Sequence, residues 1–306
     1  MSDRAIRLLR WGFALVILAF VARSFQRNWH DLQGQPIAWT FRPLPALGSV
    51  LLVWSMYAML IEAWRRMLAG WGQQLPPLPA ARIWVLSSLG KYVPGKVWAI
   101  AGMALMAKEA GVAPWAATAS AIILQALAVG TGAAVAALFG AASLEAQRPG
   151  MLIGLWLAGG TSVVGLAALV YPPVSRRLLA LARVDPETPS PSLGPVVLGL
   201  VANLLAWIGY GASLWLLAWA VLPESKLTLA PAIAGFAASY VAGLIAVFVP
   251  GGLLVREGLL IVMLQGSLGL GAATALAVAS RVLLTITELG AAVPFLIFRR
   301  GNPRAV

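Results

Sequence analysis

Apolar residues in this chain gather into long unbroken runs instead of alternating or recurring along a single face. Residues 8–25, 44–64, 112–140, 151–171, 193–222 and 270–298 are each long enough to cross about 30 Å of hydrocarbon as helix, at about 1.5 Å per residue. Two further apolar stretches are each broken by Pro-Gly: 80–93 with 97–110, and 232–249 with 253–265. Arms of about 14 residues reach only about 21 Å, past the midplane but short of the far side. The pattern therefore predicts an all-α polytopic membrane protein of six full transmembrane helices plus two re-entrant helical hairpins. A Pro-Gly that merely kinks one helix is the alternative reading of each break.

Composition agrees with this solvent. The 306 residues are 60% hydrophobic and 10% charged, and the mean hydropathy is +0.87, beyond what a water-soluble fold tolerates. Many of the 13 Trp lie near the ends of apolar runs, among them Trp11, Trp39, Trp64, Trp71, Trp115 and Trp219, as expected of interfacial rings. The chain has no Cys and one His, so thiolate chemistry and two-histidine metal motifs are excluded, and no metal or cofactor is expected. His30, beside Asp31 in an expected outer loop, is assigned no role.

Charge fixes the expected orientation. Six crossings place 13 of the 22 basic residues on one side, from Arg4, Arg7 and Arg10 through Arg65, Arg66 and Arg82 to Arg299, Arg300 and Arg304. The positive-inside rule makes that side the cytoplasm, with both termini on it. The net charge of +12 then reflects this bias and anionic lipid, with no nucleic-acid partner. The basic amino terminus resembles a signal peptide, but the repeat described next requires that helix to stay.

A shift of 156 positions superposes Tyr92-Val93-Pro94-Gly95 on Phe248-Val249-Pro250-Gly251, and Ala116-Ala117-Thr118-Ala119 on Ala272-Ala273-Thr274-Ala275, without a gap. Each half then reads as two helices, a hairpin and one helix. The first repeat spans 1–140 with its hairpin at 80–110. The second spans 141–298 with its hairpin at 232–266, and it contains a proline-rich cytoplasmic linker at 172–192 that reads as loop or as a short basic surface helix. Residues 299–306 form a basic tail. In the derived orientation the two halves are inverted copies, a plan recurrent in secondary transporters.

Helices that start inside the bilayer leave backbone N–H groups for an anion. One start is expected at Gly95, with Lys96 adding a full charge, and the other at Gly251 and Gly252, followed by Arg256 and Glu257. Glycine admits close approach, and N–H groups at a helix start suit phosphate. Arg281 and Glu288 lie seven residues apart and hence on nearly one helix face, and Arg281 falls on Gln125 in the repeat register. Tyr92, Gly95, Lys96, Gln125, Gly251, Gly252, Arg256, Glu257, Arg281 and Glu288 are therefore the candidate binding residues, with the carboxylates as counter-charges or proton carriers. The structural alternatives are that Lys96 snorkels to an interface and that Arg256 and Glu257 form a clamp. Glu62, Lys91 and Glu109 sit near expected cytoplasmic helix ends and read as interfacial.

Gly90-Lys91-Tyr92-Val93-Pro94-Gly95-Lys96-Val97-Trp98, Phe248-Val249-Pro250-Gly251-Gly252 leading to Val255-Arg256-Glu257-Gly258, and Arg281 in the last run resemble the transmembrane region of the lysylphosphatidylglycerol synthases, a flippase-like family. The resemblance covers most of the chain and implies translocation of an anionic phospholipid or lipid-linked phosphate, without the soluble aminoacyl-transferase domain. Two departures leave the substrate open. Leu254 stands where many relatives have glycine, and the helix after Lys96 lacks the acidic and basic pair expected of aminoacyl-lipid members. The alternative functions are an accessory subunit of a membrane enzyme that processes lipid or glycan, or an embedded transferase. The transferase is disfavoured because Asp occurs only at positions 3, 31 and 185, too scattered for paired acid–base or metal work.

Overall fold

Our computed structural model describes residues 41–92, 97–144, 192–246 and 250–297, with isolated helical positions between 150 and 161. The expected span at 8–25, most of that at 151–171, the linker at 172–192, the basic tail and His30 lie outside these residues. Among the described residues the chain is helical, without a strand.

Among the described residues four helices are long and apolar enough to cross a membrane: α1 (Pro43–Ala69), α4 (Pro114–Leu144), α5 (Leu193–Val221) and α8 (Leu270–Ile297). At 27 to 31 residues each they reach about 40 to 46 Å. Between them lie short helices: α2 (Pro77–Ser88) and α3 (Val97–Glu109) in the first half, α6 (Leu229–Ile245) and α7 (Val255–Leu268) in the second. Proline opens α1, α2 and α4, where its missing N–H would have had no intrahelical partner and its fixed φ already suits the helix. Each short pair is divided near its Pro-Gly by a single tight 3₁₀ turn, Leu89–Tyr92 or Pro250–Gly252.

The long helices turn apolar side chains outward. Leu47 and Leu51 of α1, Leu205 of α5 and Ile286 and Leu289 of α8 are all about half exposed or more. Such bands are a liability in water; in hydrocarbon they cost nothing. The described residues are those of an all-α protein, with four helices suited to a membrane.

Small residues set the helix contacts, as they do where lipid supplies no hydrophobic drive for association. The most extensive packing joins α1 to α5. There Met56 lies over Gly209, and the buried hydroxyls of Ser49 and Ser213 each donate to the other's carbonyl oxygen, at 2.8 and 3.1 Å. On α5, Gly211 meets Ile233 of α6 so closely that a Cβ would stand 2.4 Å from its Cα. Trp207 Nε1 reaches α4 at Ala128 O and Thr131 Oγ1, both 3.1 Å away. Two cores result. One joins α2 and α3 to the facing ends of α1 and α4, and the other is built mainly on α5 to α8.

Candidate functional site

A cavity of about 500 Å³ lies between the two cores. Aliphatic and aromatic side chains form most of its wall, including Trp84, Leu124, Trp207, Tyr210, Tyr240 and Leu284. A few polar groups converge among them, the usual composition of a small-molecule site. The charged ones come from the first 3₁₀ turn, which touches the second, and from α7 and α8, and neutral polar groups are added by α1, α4, α5 and α6.

Glu288 is the centre of the first polar group. It is 6% exposed, and its carboxylate accepts from Lys91 Nζ at 2.5 Å, from Tyr92 Oη at 2.6 Å and from Tyr57 Oη at 3.1 Å. A carboxylate can leave water on these terms because an opposite charge and two hydroxyls replace its hydration. This corrects the expectation for Lys91. Instead of lying at an interface, it lines the cavity and pairs with the last helix.

Arg281, two helical turns before Glu288 on α8, anchors the other 3₁₀ turn by donating to the Gly251 carbonyl at 2.9 Å. Its contact with Glu257 Oε1 is long, at 3.5 Å. Arg281 Nε and Glu257 Oε2 are buried and have no hydrogen-bond partner among the described residues. Arg281 therefore keeps unused donor capacity.

Arg256 is the third cation. It is 5% exposed and donates to Ser280 Oγ at 3.0 Å. Its guanidinium stacks 5.2 and 5.1 Å from the ring centroids of Phe236 and Tyr240. Among the described residues it makes no ion pair. Among the described residues of the site, Lys91, Arg256 and Arg281 thus outnumber Glu257 and Glu288 by one positive charge. An anion is the complement such a site favours.

Tyr92, Gln125, Gly251, Arg256, Arg281 and Glu288 line the cavity together. Glu257 touches it only through Arg281. Gly252 lies beneath it, packed on Gly243 of α6. Gly95 and Lys96 lie outside the described residues. The expected helix start at Gly251 and Gly252 also needs correction. Both glycines have positive φ, as does Leu254 at +66°, so the backbone continues turning and α7 begins only at Val255. The amides of Gly251 and Gly252 therefore belong to a 3₁₀ turn that precedes the helix N-terminus.

Sequence reasoning missed Lys91 and the tyrosines Tyr57, Tyr210 and Tyr240. The tyrosines look like ordinary helix filler. The one available signal is that these three of the chain's five tyrosines stand inside apolar runs. No family model matches the chain, and no curated protein matches it.

Proposed function

We propose that the chain is a lipid translocase that moves a phosphate-bearing lipid headgroup across the cytoplasmic membrane, through a site formed where two broken helices meet. The observation that carries this reading is the cavity. It lies inside an apolar helix bundle, has walls suited to lipid-like groups, and holds one surplus positive charge at the tips of the two short-helix pairs.

Helix order supports an internal repeat. Long, short, short, long recurs in the two halves, and α4 and α8 begin 156 positions apart, at Pro114 and Leu270. That is the offset of the Pro-Gly motifs. The proposal includes six crossings with two re-entrant hairpins, halves of opposite orientation, both termini in the cytoplasm, and kinship with the transmembrane region of the lysylphosphatidylglycerol synthases. In such a plan, exchanging the conformations of two similar halves would open the site first to one face and then to the other.

The test is movement of fluorescent anionic and neutral phospholipids between leaflets of liposomes holding the purified protein, wild type beside Arg256→Gln and Arg281→Ala. Wild-type movement that either substitution abolishes at normal expression is the expected result. Absence of movement for every lipid would refute the translocase and favour an accessory subunit.

A further inference from the structure

We infer that Glu288 is a built-in competitor: its carboxylate occupies the donors that an incoming anionic headgroup would use, so substrate binds by displacing it. The inference rests on the translocase reading and adds how that site would be filled.

Three observations combine. First, the Glu288 carboxylate is held by one ammonium and two phenol hydroxyls at 2.5 to 3.1 Å, the donor types and spacing that hold a phosphate oxygen. Second, all four residues line the cavity, so these donors are within reach of a ligand there. Third, the cavity's surplus charge is located elsewhere. Among the described residues Arg256 makes no ion pair and Arg281 has a buried Nε without a partner, and Arg281 also lies over the same Tyr92 ring as Lys91, at 5.9 and 5.5 Å from its centroid. An anion drawn in by the arginines therefore arrives beside the ring whose hydroxyl, with Lys91, holds Glu288.

The exchange has a mechanical consequence. Lys91 and Tyr92 belong to the 3₁₀ turn of the first half, and Glu288 belongs to α8 of the second. Their contact ties one tip to the last helix. When a ligand takes over Lys91 and Tyr92, that tie is released while Arg281 still holds Gly251, so binding and loosening of the first tip become one event. A Glu288 that served only as a structural counter-charge would instead be needed for the site to hold its shape, and its loss would weaken anion binding.

The experiment measures binding of dioctanoyl phosphatidate, and separately of inorganic phosphate, to the purified full chain in detergent. The proteins compared are wild type, Glu288→Gln, Glu288→Asp and Glu288→Gln with Lys91→Met. Glu288→Gln should bind phosphatidate at least about tenfold tighter, the factor for one charge-assisted hydrogen bond freed for the ligand. Its thermal stability should fall without ligand and recover with it. Glu288→Asp keeps the charge but is one methylene too short to satisfy all three donors, so it should bind several-fold tighter and decides the matter if the glutamine variant does not fold. Adding Lys91→Met should abolish the gain.

Unchanged or weaker binding in both single variants would overturn the inference. If wild type still moves lipid in liposomes, the translocase reading survives that outcome. Tighter binding with no lipid movement in wild type would uphold the competitor and refute the translocase. A gain for inorganic phosphate alone would uphold the competitor with a free anion, rather than a lipid, as ligand.

Discussion

Gly252 is a position where a single methyl group should cost both backbone strain and packing. Its φ of +65° lies in the left-handed region, and an added Cβ would stand 2.8 Å from Gly243 Cα and 3.1 Å from its carbonyl oxygen. Alanine held at that φ costs about 1–2 kcal/mol. Ordinary carbon contacts lie near about 3.5–4 Å, so the turn and α6 must separate by roughly 1 Å, and overpacking of that kind costs about 1–3 kcal/mol. Gly252→Ala is therefore expected to lose about 2–5 kcal/mol. Gly258, six residues later on α7, provides the control: nothing lies within 4 Å of its Cβ direction, and alanine there should be neutral or gain up to about 1 kcal/mol from helix propensity. Unfolding by sodium dodecyl sulfate titration in mixed micelles, followed by tryptophan fluorescence, compares the two. Lipid movement should fail in Gly252→Ala as well, because displacing Gly252 drags the adjacent Gly251 carbonyl from Arg281. Equal stability of the two variants, or a Gly252→Ala loss under about 1 kcal/mol, would refute the close packing of this turn on α6.

Three further outcomes are expected from the same titration. Leu254→Gly should stabilise by about 1 kcal/mol, because leucine at φ +66° stores about 1–3 kcal/mol of strain and a side chain 61% exposed gives up little packing; a loss of stability would contradict that strain. Lys91→Met should cost about 2–4 kcal/mol, somewhat below the usual penalty for breaking a buried pair because the Tyr57 and Tyr92 hydroxyls remain on Glu288, whereas Arg66→Met, in a pair 60% and 42% exposed, should cost under about 1 kcal/mol. Ser49→Ala or Ser213→Ala should each lose about 1 kcal/mol, because the remaining hydroxyl still donates to the other residue's backbone carbonyl, and the double variant should lose about the sum; a double loss well below the sum would show that the 2.8 Å contact between the two hydroxyls couples them.

The long helices were legible because hydrocarbon imposes a length and a composition that need no partner to be recognised. The expected runs at 44–64, 112–140, 193–222 and 270–298 fall within a few residues of α1, α4, α5 and α8. Both breaks were legible for a local reason as well, since proline and glycine interrupt a helix wherever they occur. Within one helix, the spacing of Arg281 and Glu288 puts both on nearly one face, and both line the cavity. Across helices this kind of inference fails. Lys91 meets Glu288 across 197 positions and Tyr57 meets it across 231, and no periodicity links residues so far apart. Lys91 also sits in a 3₁₀ turn, where the helix-face rule does not apply. Gly-Gly does not open α7, because positive φ at Gly251, Gly252 and again at Leu254 delays the helix to Val255.

One rigid helix holds both tips, and this constrains any motion of the site. Glu288 and Arg281 are two turns apart on α8, about 10.5 Å along its axis, and they hold the first and second 3₁₀ turns respectively. A slide or rotation of α8 large enough to matter must strain both contacts unless one is released first. The two differ in how they can be released. Arg281 can keep the Gly251 carbonyl on Nη1 while its Nε, unpartnered among the described residues, takes an anion, whereas Glu288 and an anion compete for the same Lys91 and Tyr92 donors. Helix order repeats in the two halves, but the charges do not: at the register position of Arg281, α4 carries the neutral Gln125, which lines the cavity. Under the proposed translocase reading, an arriving anion therefore frees the first tip while the second stays fixed to α8. Opening of the site would then depend on occupancy, which is what a carrier needs if an empty cavity is not to leak.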